Sequence, residues 1–196
     1  MTTRKSQLLI LAPFKAEARI IAAILPDCRQ SATSGWDFSG GRLATGNASG
    51  RDALFLLLNK ELSGINYDRI VLFGAAGALA PGLEIGQLFN CNRFIHADLK
   101  LDLPVSTALP TATVVTVDQP VVANEARCQL NTSFNASIVD MESYFFAAAM
   151  HEKSQNCAVI RFVSDTASTP FALPFPASII QNIARHRAQI IEVFFG

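Results

Sequence analysis

Carboxylates stand at the ends of two apolar runs in the second half of the chain. Asp140 and Glu142 flank Met141 just before an alanine-rich, aromatic segment, and Asp165 ends the apolar run that follows it. We predict that a short strand delivers Glu142 to a helix N-terminus, where the helix dipole favours an ionised carboxylate. Because the strand ends of an α/β sheet border a crevice, these acids predict a cleft that can perform acid–base chemistry.

A further acid stands near the start of the chain. The apolar run at 8–12 is typical of a strand covered on both faces, and Pro13 ends it. Apolar residues then recur at helical spacing up to residue 25, so Glu17 falls in the first turn of a helix. From the residues alone, Glu17 either complements the helix dipole or acts as a base.

The rest of the chain alternates apolar runs with segments of helical period, which predicts an α/β fold. The expected strands lie at 70–73, 88–99, 113–117, 138–139 and 158–163, and a hairpin at 36–44 turns at Gly40 and Gly41. The expected helices lie at 52–62, 121–130, 144–150 and 179–194. Small residues after the strand at 70–73 allow a ligand to approach the backbone closely.

Four stretches of the chain carry a resemblance to a known family. They are V-D-M-E at 139–142, V-I-R-F-V-S-D at 159–165, A-P-F-K-A-E-A at 12–18 and G-A-A-G-A-L-A-P-G-L-E-I-G at 74–86. In order and separation they resemble the purine nucleoside phosphorylase and methylthioadenosine/S-adenosylhomocysteine nucleosidase family, over nearly the whole chain. The D-M-E-S variant is most similar to hopanoid-associated nucleoside phosphorylases. The resemblance implies one domain over residues 1–196, with a three-layer α/β/α fold around a central mixed β-sheet.

The resemblance also implies roles for individual side chains. Asp165 protonates the departing purine, and Glu17 orients or deprotonates the attacking water. Glu142 accepts hydrogen bonds from the ribose hydroxyls while Met141 packs against the sugar. Arg161 lies near the nucleophile, where it either binds phosphate, orients water or only neutralises Glu142 and Glu17. Cleavage of a ribosyl N-glycosidic bond passes through an oxocarbenium-like state, which is the chemistry that such a set of acids serves.

Further positions are expected to bind the substrate. They are Ser164, Phe162, Gly77 and Ala75, and Phe162 is a candidate for stacking on the base. The chain departs from the family pattern at two places, because the family serine is Ala75 and the family aspartate after the last glycine of the loop is Gln87. These departures motivate an alternative of another class, a nucleoside-binding protein with impaired catalysis.

The nucleophile decides between hydrolysis and phosphorolysis. Phosphate binding needs several converging cations and backbone donors. Arg161 is one candidate cation, and Arg51 beside Gly46 forms a second candidate anion site at the start of a helix. The family's phosphate-binding arginine is replaced by Leu72. We therefore predict a nucleosidase that cleaves adenosine-type nucleosides with water, and a phosphate-dependent nucleoside phosphorylase is the alternative.

Composition narrows the partners to small molecules and other copies of the chain. Sixteen basic and sixteen acidic residues cancel, so a basic surface that binds nucleic acid is not expected. No apolar run is long enough for a membrane span. Half of the residues are hydrophobic and only 16% are charged, which predicts a homo-oligomer, a dimer or larger. The four cysteines are widely separated, so neither a metal site nor disulfides are expected. We expect no cofactor and a cytoplasmic location.

Overall fold

The computed structural model describes residues 7–32, 34–104 and 108–195. The strands are β1 Leu8–Ala12, β2 Arg29–Gln30, β3 Trp36–Phe38, β4 Gly41–Thr45, β5 Arg69–Ala78, β6 Leu88–His96, β7 Leu99–Asp102, β8 Thr111–Thr116, β9 Ile138–Asp140 and β10 Cys157–Asp165. The helices are α1 Lys15–Ala22, α2 Arg51–Leu62, α3 Asn124–Phe134, α4 Ser143–Glu152, α5 Ala177–Arg185 and α6 Arg187–Phe195.

The strands form one mixed sheet in the order β10-β6-β8-β9-β5-β1-β4-β3-β2, with β7 beside β6. The long strand β5 runs parallel to both β1 and β10, and its last residues pair antiparallel with β9. Because β10 pairs with both β5 and β6, a closed ring of strands forms. Its members are β10, β6, β8, β9 and β5. Strand β5 therefore stands at the junction of the closed part and the open part of the sheet.

Helices cover the sheet on both faces. One apolar core joins β1 and β5 to α1, α5 and α6, and a second core on the other face joins the sheet to α2 and α4. The buried strands are almost continuously apolar, as expected for strands with a helix layer on each side. The predicted three-layer arrangement with a central mixed sheet is present.

The structure differs from the sequence prediction in several elements. The strand expected at 88–99 ends at His96, and a turn leads from it into β7, which pairs antiparallel with β6. The strand expected to end at residue 73 continues as β5 through Gly74 to Ala78, because this segment pairs with β10 and β9. The single helix expected at 179–194 is two helices that meet at His186. Arg187 Nε donates to the carbonyl oxygen of Ile24 at 2.8 Å, which ties the junction to the end of the first helical segment.

None of the helices within 7–32, 34–104 and 108–195 is long and apolar enough to cross a membrane. The loop expected at 102–113 falls partly outside the described residues, since 105–107 are not among them.

Candidate active site

A cavity of about 490 Å³ opens where β5, β9 and β10 come together. This volume is within the range of pockets that hold small organic ligands. The acids predicted from the sequence, Glu17, Glu142 and Asp165, all line it, together with Asp140. Their side chains arrive from separate elements, so the fold brings together residues that lie far apart in the chain.

Glu17 is held by two backbone donors in the first turn of α1. Its Oε1 accepts from the N–H of Ala75 at 2.8 Å, and its Oε2 accepts from the N–H of Phe14 at 3.1 Å. The side chain is buried, and this desolvation raises its pKa to about 7, although the Ala75 hydrogen bond and the nearby Arg161 oppose the rise. Glu17 can thus exchange a proton near neutral pH, as a general base requires.

Arg161 lies beneath the carboxylates rather than in the cavity wall. It is the largest fully buried side chain, at 1% exposure. Its Nη2 lies 2.6 Å from Asp140 Oδ2 and 3.2 Å from Glu142 Oε2, and its Nε donates to the Ser143 hydroxyl at 3.0 Å. Burial alone would lower the pKa of this guanidinium, but the surrounding carboxylates raise it above its usual value. Arg161 thus balances the carboxylates from below.

Glu142 and Asp140 share this cation at the N-terminus of α4. Glu142 Oε1 accepts from the N–H of Gly50 at 2.5 Å, while Asp140 accepts from the Thr116 hydroxyl at 2.7 Å. Burial first, and then the charge of Asp140, raise the pKa of Glu142 against the opposing effect of Arg161. We call Glu17, Asp140 and Glu142, with Arg161 beneath them, the acidic end of the cavity.

Asp165 stands in a different environment at the end of β10. Its Oδ1 accepts from the Ser164 hydroxyl at 2.5 Å, and its Oδ2 forms an ion pair with Arg127 Nη2. Arg127, from α3, also donates through Nη1 to the carbonyl oxygen of Ala78 at 3.0 Å. Arg127, Ser164 and Asp165 are all buried, and all line the cavity. We call these three residues the paired end.

Small residues of β5 make room for both ends. A Cβ added at Gly74 would collide with Arg161 Nη1 and lie 2.9 Å from Glu17 Oε1. A Cβ added at Gly77 would lie 3.0 Å from Asp165 Oδ2 and 3.1 Å from Arg127 Nη1. Ala75 stands where the family has a serine. It holds Glu17 through its backbone N–H, so this contact does not need a side chain.

Several other predicted site residues also border the cavity. Ala75, Gly77, Met141 and Ser164 belong to its wall. The loop residue Gly50, whose N–H reaches Glu142, has a φ of 97°, a value that favours glycine. Gln87, the other departure from the family pattern, is not among the cavity residues and accepts from the N–H of Glu84 at 3.2 Å.

Three predicted residues lie away from the cavity. Phe162 is fully buried and packs against Phe73 and Phe175, so Phe175 rather than Phe162 lines the wall. Arg51 is exposed and pairs with Asp52 at 3.2 Å. The N–H of Gly46 donates to the carbonyl oxygen of Pro13 at 3.2 Å. The structure therefore does not bring Arg51, Gly46 and Phe162 to the acids.

Two residues of the site had no role assigned from the sequence. Asp140 stands in the V-D-M-E stretch, and its position beside Glu142 is the signal that marks it. Arg127 lies on a polar helix whose sequence has no distinctive pattern, and its ion pair with Asp165 spans 38 positions. Only the folded chain shows that Arg127 reaches the cavity.

Residues 100–195 match the family model described as the phosphorylase superfamily. No curated protein matches the chain significantly in sequence.

Solved structures with the same fold include several bacterial enzymes. Methylthioadenosine/S-adenosylhomocysteine nucleosidase (MTAN) of Helicobacter pylori has a TM-score of 0.78 at 16% identity, covering 97% of this chain and 100% of that one. Futalosine hydrolase of the same organism has a TM-score of 0.76 at 16% identity, with coverages of 96% and 98%. A variant MTAN of Chlamydia trachomatis has a TM-score of 0.69 at 18% identity, with coverages of 97% and 96%. The predicted fold class is confirmed.

Proposed function

We propose that the chain hydrolyses the N-glycosidic bond of a purine nucleoside. The match of residues 100–195 to the phosphorylase superfamily model agrees with the predicted resemblance, and the fold shared with solved nucleosidases supports this class of enzyme. The convergence of Glu17, Glu142 and Asp165 on one cavity carries this proposal. Each carboxyl group has a different set of partners, so each can take a different part in the reaction.

The acidic end suits the sugar and the attacking water. Glu142 accepts hydrogen bonds from the ribose hydroxyls, and the neighbouring carboxylates stabilise positive charge as the sugar becomes cationic. Glu17, with its pKa of about 7, takes the proton of the water that attacks the anomeric carbon. Met141 packs against the sugar from the same wall.

The paired end suits the departing base. When the glycosidic bond breaks, its electron pair moves to the purine, and Asp165 passes a proton to N7 as the general acid. The Ser164 hydroxyl and Arg127 fix the orientation of this carboxyl group. The products are the free base and the free sugar. Glu17 then releases to solvent the proton it took from water, and Asp165 regains a proton from solvent, so one water is consumed in each turnover.

Water rather than phosphate is the proposed nucleophile because the cavity wall offers little to hold a phosphate. Within the part of the chain that the structure describes, Arg127 is the one lysine or arginine in the wall, and it is paired with Asp165. Arg161 is enclosed by carboxylates, which would repel a phosphate dianion. The structural neighbours named as nucleosidases or hydrolases also support hydrolysis.

The identity of the base is a separate part of the proposal. An aspartate-to-asparagine variant of the H. pylori nucleosidase holds 5′-methylthioadenosine in its active site. This neighbour supports a purine nucleoside as the substrate. The adenosine-type base that the resemblance implies stays a prediction.

An assay of base release tests the proposal. The purified protein is incubated with adenosine, inosine, guanosine and 5′-methylthioadenosine, with and without phosphate, and free base is separated by chromatography. We expect base release without phosphate from at least one nucleoside. Strict dependence on phosphate would establish phosphorolysis instead. Nucleoside binding without base release under either condition would favour the binding protein of impaired catalysis.

A further inference from the structure

The guanidinium of Arg127 carries an N–H donor that makes no hydrogen bond to the described residues. The side chain is only 6% exposed and lines the cavity beside Asp165. Its Nη1 and Nη2 contact Ala78 and Asp165, but its buried Nε has no hydrogen-bond partner among the described residues. A buried donor without a partner is costly, so a ligand acceptor at this place would gain a strong hydrogen bond.

The acceptors around Arg127 are already engaged. Both oxygens of Asp165 accept hydrogen bonds, one from Ser164 and one from Arg127. The nearby carbonyl oxygen of Ala76 accepts from Ser164, and that of Ala78 accepts from Arg127. The paired end therefore has an unpartnered N–H donor beside the carboxyl group of Asp165, and each nearby acceptor already accepts one hydrogen bond.

Purine bases differ at the edge that would meet this donor. Beside N7, a 6-oxopurine carries the acceptor O6, whereas a 6-aminopurine carries the donor N6–H₂. Arginine is the side chain that most often recognises the O6 and N7 edge, because its planar group offers several parallel donors. A 6-amino group placed at the same point would face another donor and leave both without an acceptor.

From this arrangement we infer that Arg127 selects nucleosides of 6-oxopurines, with the hypoxanthine or guanine type of base, over those of adenine. An Arg127 N–H donates to O6 while Asp165 serves N7. The inference rests on the proposed function and specifies its substrate class. This substrate class differs from the adenosine-type base that the resemblance implies. The difference is due to Arg127, which lies outside the four stretches that carry the resemblance.

The first arm of the test compares substrates on the unmodified protein. The value of kcat/KM is measured for inosine and adenosine, which differ at C6 of the base. We expect inosine to be favoured by about 10- to 100-fold, the range for one well-made arginine contact to a base edge. A preference for adenosine, or equal values, would overturn the inference. If inosine, adenosine, guanosine and 5′-methylthioadenosine all release no base, the proposed function itself fails. Release from 5′-methylthioadenosine alone would overturn the inference and leave the proposed function standing, so the two failures are distinguished.

The second arm changes the donor. In Arg127→Gln the amide can both donate and accept, so the ratio of kcat/KM values for inosine and adenosine should fall to within about 3-fold of unity. Arg127→Lys keeps a cationic donor and should retain a preference for inosine. Arg93→Gln is the matched control, because Arg93 is an exposed arginine paired with Asp102 outside the cavity. The ratio is insensitive to a general loss of activity, and an unchanged ratio in Arg127→Gln would contradict the inference.

A binding measurement keeps the test independent of whether the variants fold. Free hypoxanthine and free adenine are titrated into the unmodified protein by calorimetry. Hypoxanthine should bind at least about 10-fold more tightly, since only it offers an acceptor to Arg127. Equal or tighter binding of adenine would refute the role assigned to Arg127.

Discussion

The two ends of the cavity use the same kinds of side chain in opposite arrangements. At the acidic end, three carboxylates border the cavity and their cation, Arg161, is buried beneath them. At the paired end, one carboxylate shares the wall with its cation, Arg127. Positions Ala75 and Gly77 of β5 touch one end each, so a short stretch of one strand separates the two environments.

This difference matches the charge that glycosidic cleavage would create. The sugar becomes positive as the bond breaks, and the purine becomes negative. An acidic wall stabilises the first charge, and a wall that contains a guanidinium stabilises the second. The cavity is therefore polarised along the bond that we propose to be cleaved, before any ligand has bound.

The largest expected effect comes from the paired end. In Asp165→Asn the amide keeps the shape of the side chain but cannot transfer a proton to N7. We expect kcat to fall by about 10³-fold, within the range for the loss of a general acid. Base release under single-turnover conditions measures the effect. A decrease of less than about 10-fold would mean that the base departs without a proton from Asp165.

At the acidic end, Glu17→Gln should lower kcat by about 10²-fold while making the folded protein more stable at pH 8. The activity falls because an amide cannot take a proton from water. Burial raises the pKa of Glu17 to about 7, so above that pH the folded protein holds a desolvated negative charge. The variant is more stable because glutamine removes this charge.

The sign of this stability effect follows from proton linkage. Between the unfolded value of 4.5 and the folded value of about 7, the folded protein binds the proton more tightly, so this contribution to stability is lost as the pH rises through 7. The gain in Glu17→Gln should be about 1–3 kcal/mol at pH 8 and close to zero at pH 4. Urea denaturation at both pH values measures it, and an equal gain at both would exclude this cause.

The pH dependence of the unmodified enzyme gives a second measure of the same group. A base must be deprotonated to accept a proton, so kcat/KM should fall by about 10-fold per unit as the pH drops below 7. At pH 5 the value should be about 100-fold below its plateau. The acid limb should disappear in the residual activity of Glu17→Gln. A limb that survives in this variant would belong to another group.

The fold and the acids of the cavity could largely be predicted from the sequence, but the contribution of Arg127 to the paired end could not. The strand-end acids Glu17, Glu142 and Asp165 are marked by the apolar runs before them, and such runs fix where parallel strands end. Arg127 has no such marker, because its helix is half exposed and its reach to Asp165 depends on how α3 packs against the sheet. Phe162 was a candidate for stacking on the base, but it is fully buried and packs against Phe73 and Phe175, a tertiary contact that the sequence does not show.

A matched pair of variants separates the buried Arg161 network from surface ion pairs. Asp140→Asn leaves Arg161 short of one partner in a buried setting, and we expect a loss of about 3 kcal/mol in the free energy of unfolding. Asp102→Asn breaks the Arg93 pair, which has the same two residue types but is exposed, and should cost less than about 1 kcal/mol. Similar losses of unfolding free energy in the two variants would mean that the buried ion pairs of Arg161 contribute no more to stability than an exposed pair.

The smallest expected effect lies at the rim, where neither end supplies charge. Phe171 lines the cavity, is 52% exposed and contacts Phe175 edge to face with ring centroids 5.8 Å apart. A nucleoside bound between the two ends would cover part of this ring, and burial of apolar area lowers the free energy of the complex. In Phe171→Leu, KM should rise by about 3-fold with kcat unchanged, because the ring contributes to binding equally before and during bond cleavage. A change in kcat instead would show that Phe171 acts on the chemical step, and the polarity of the two ends would then not be the whole basis of catalysis.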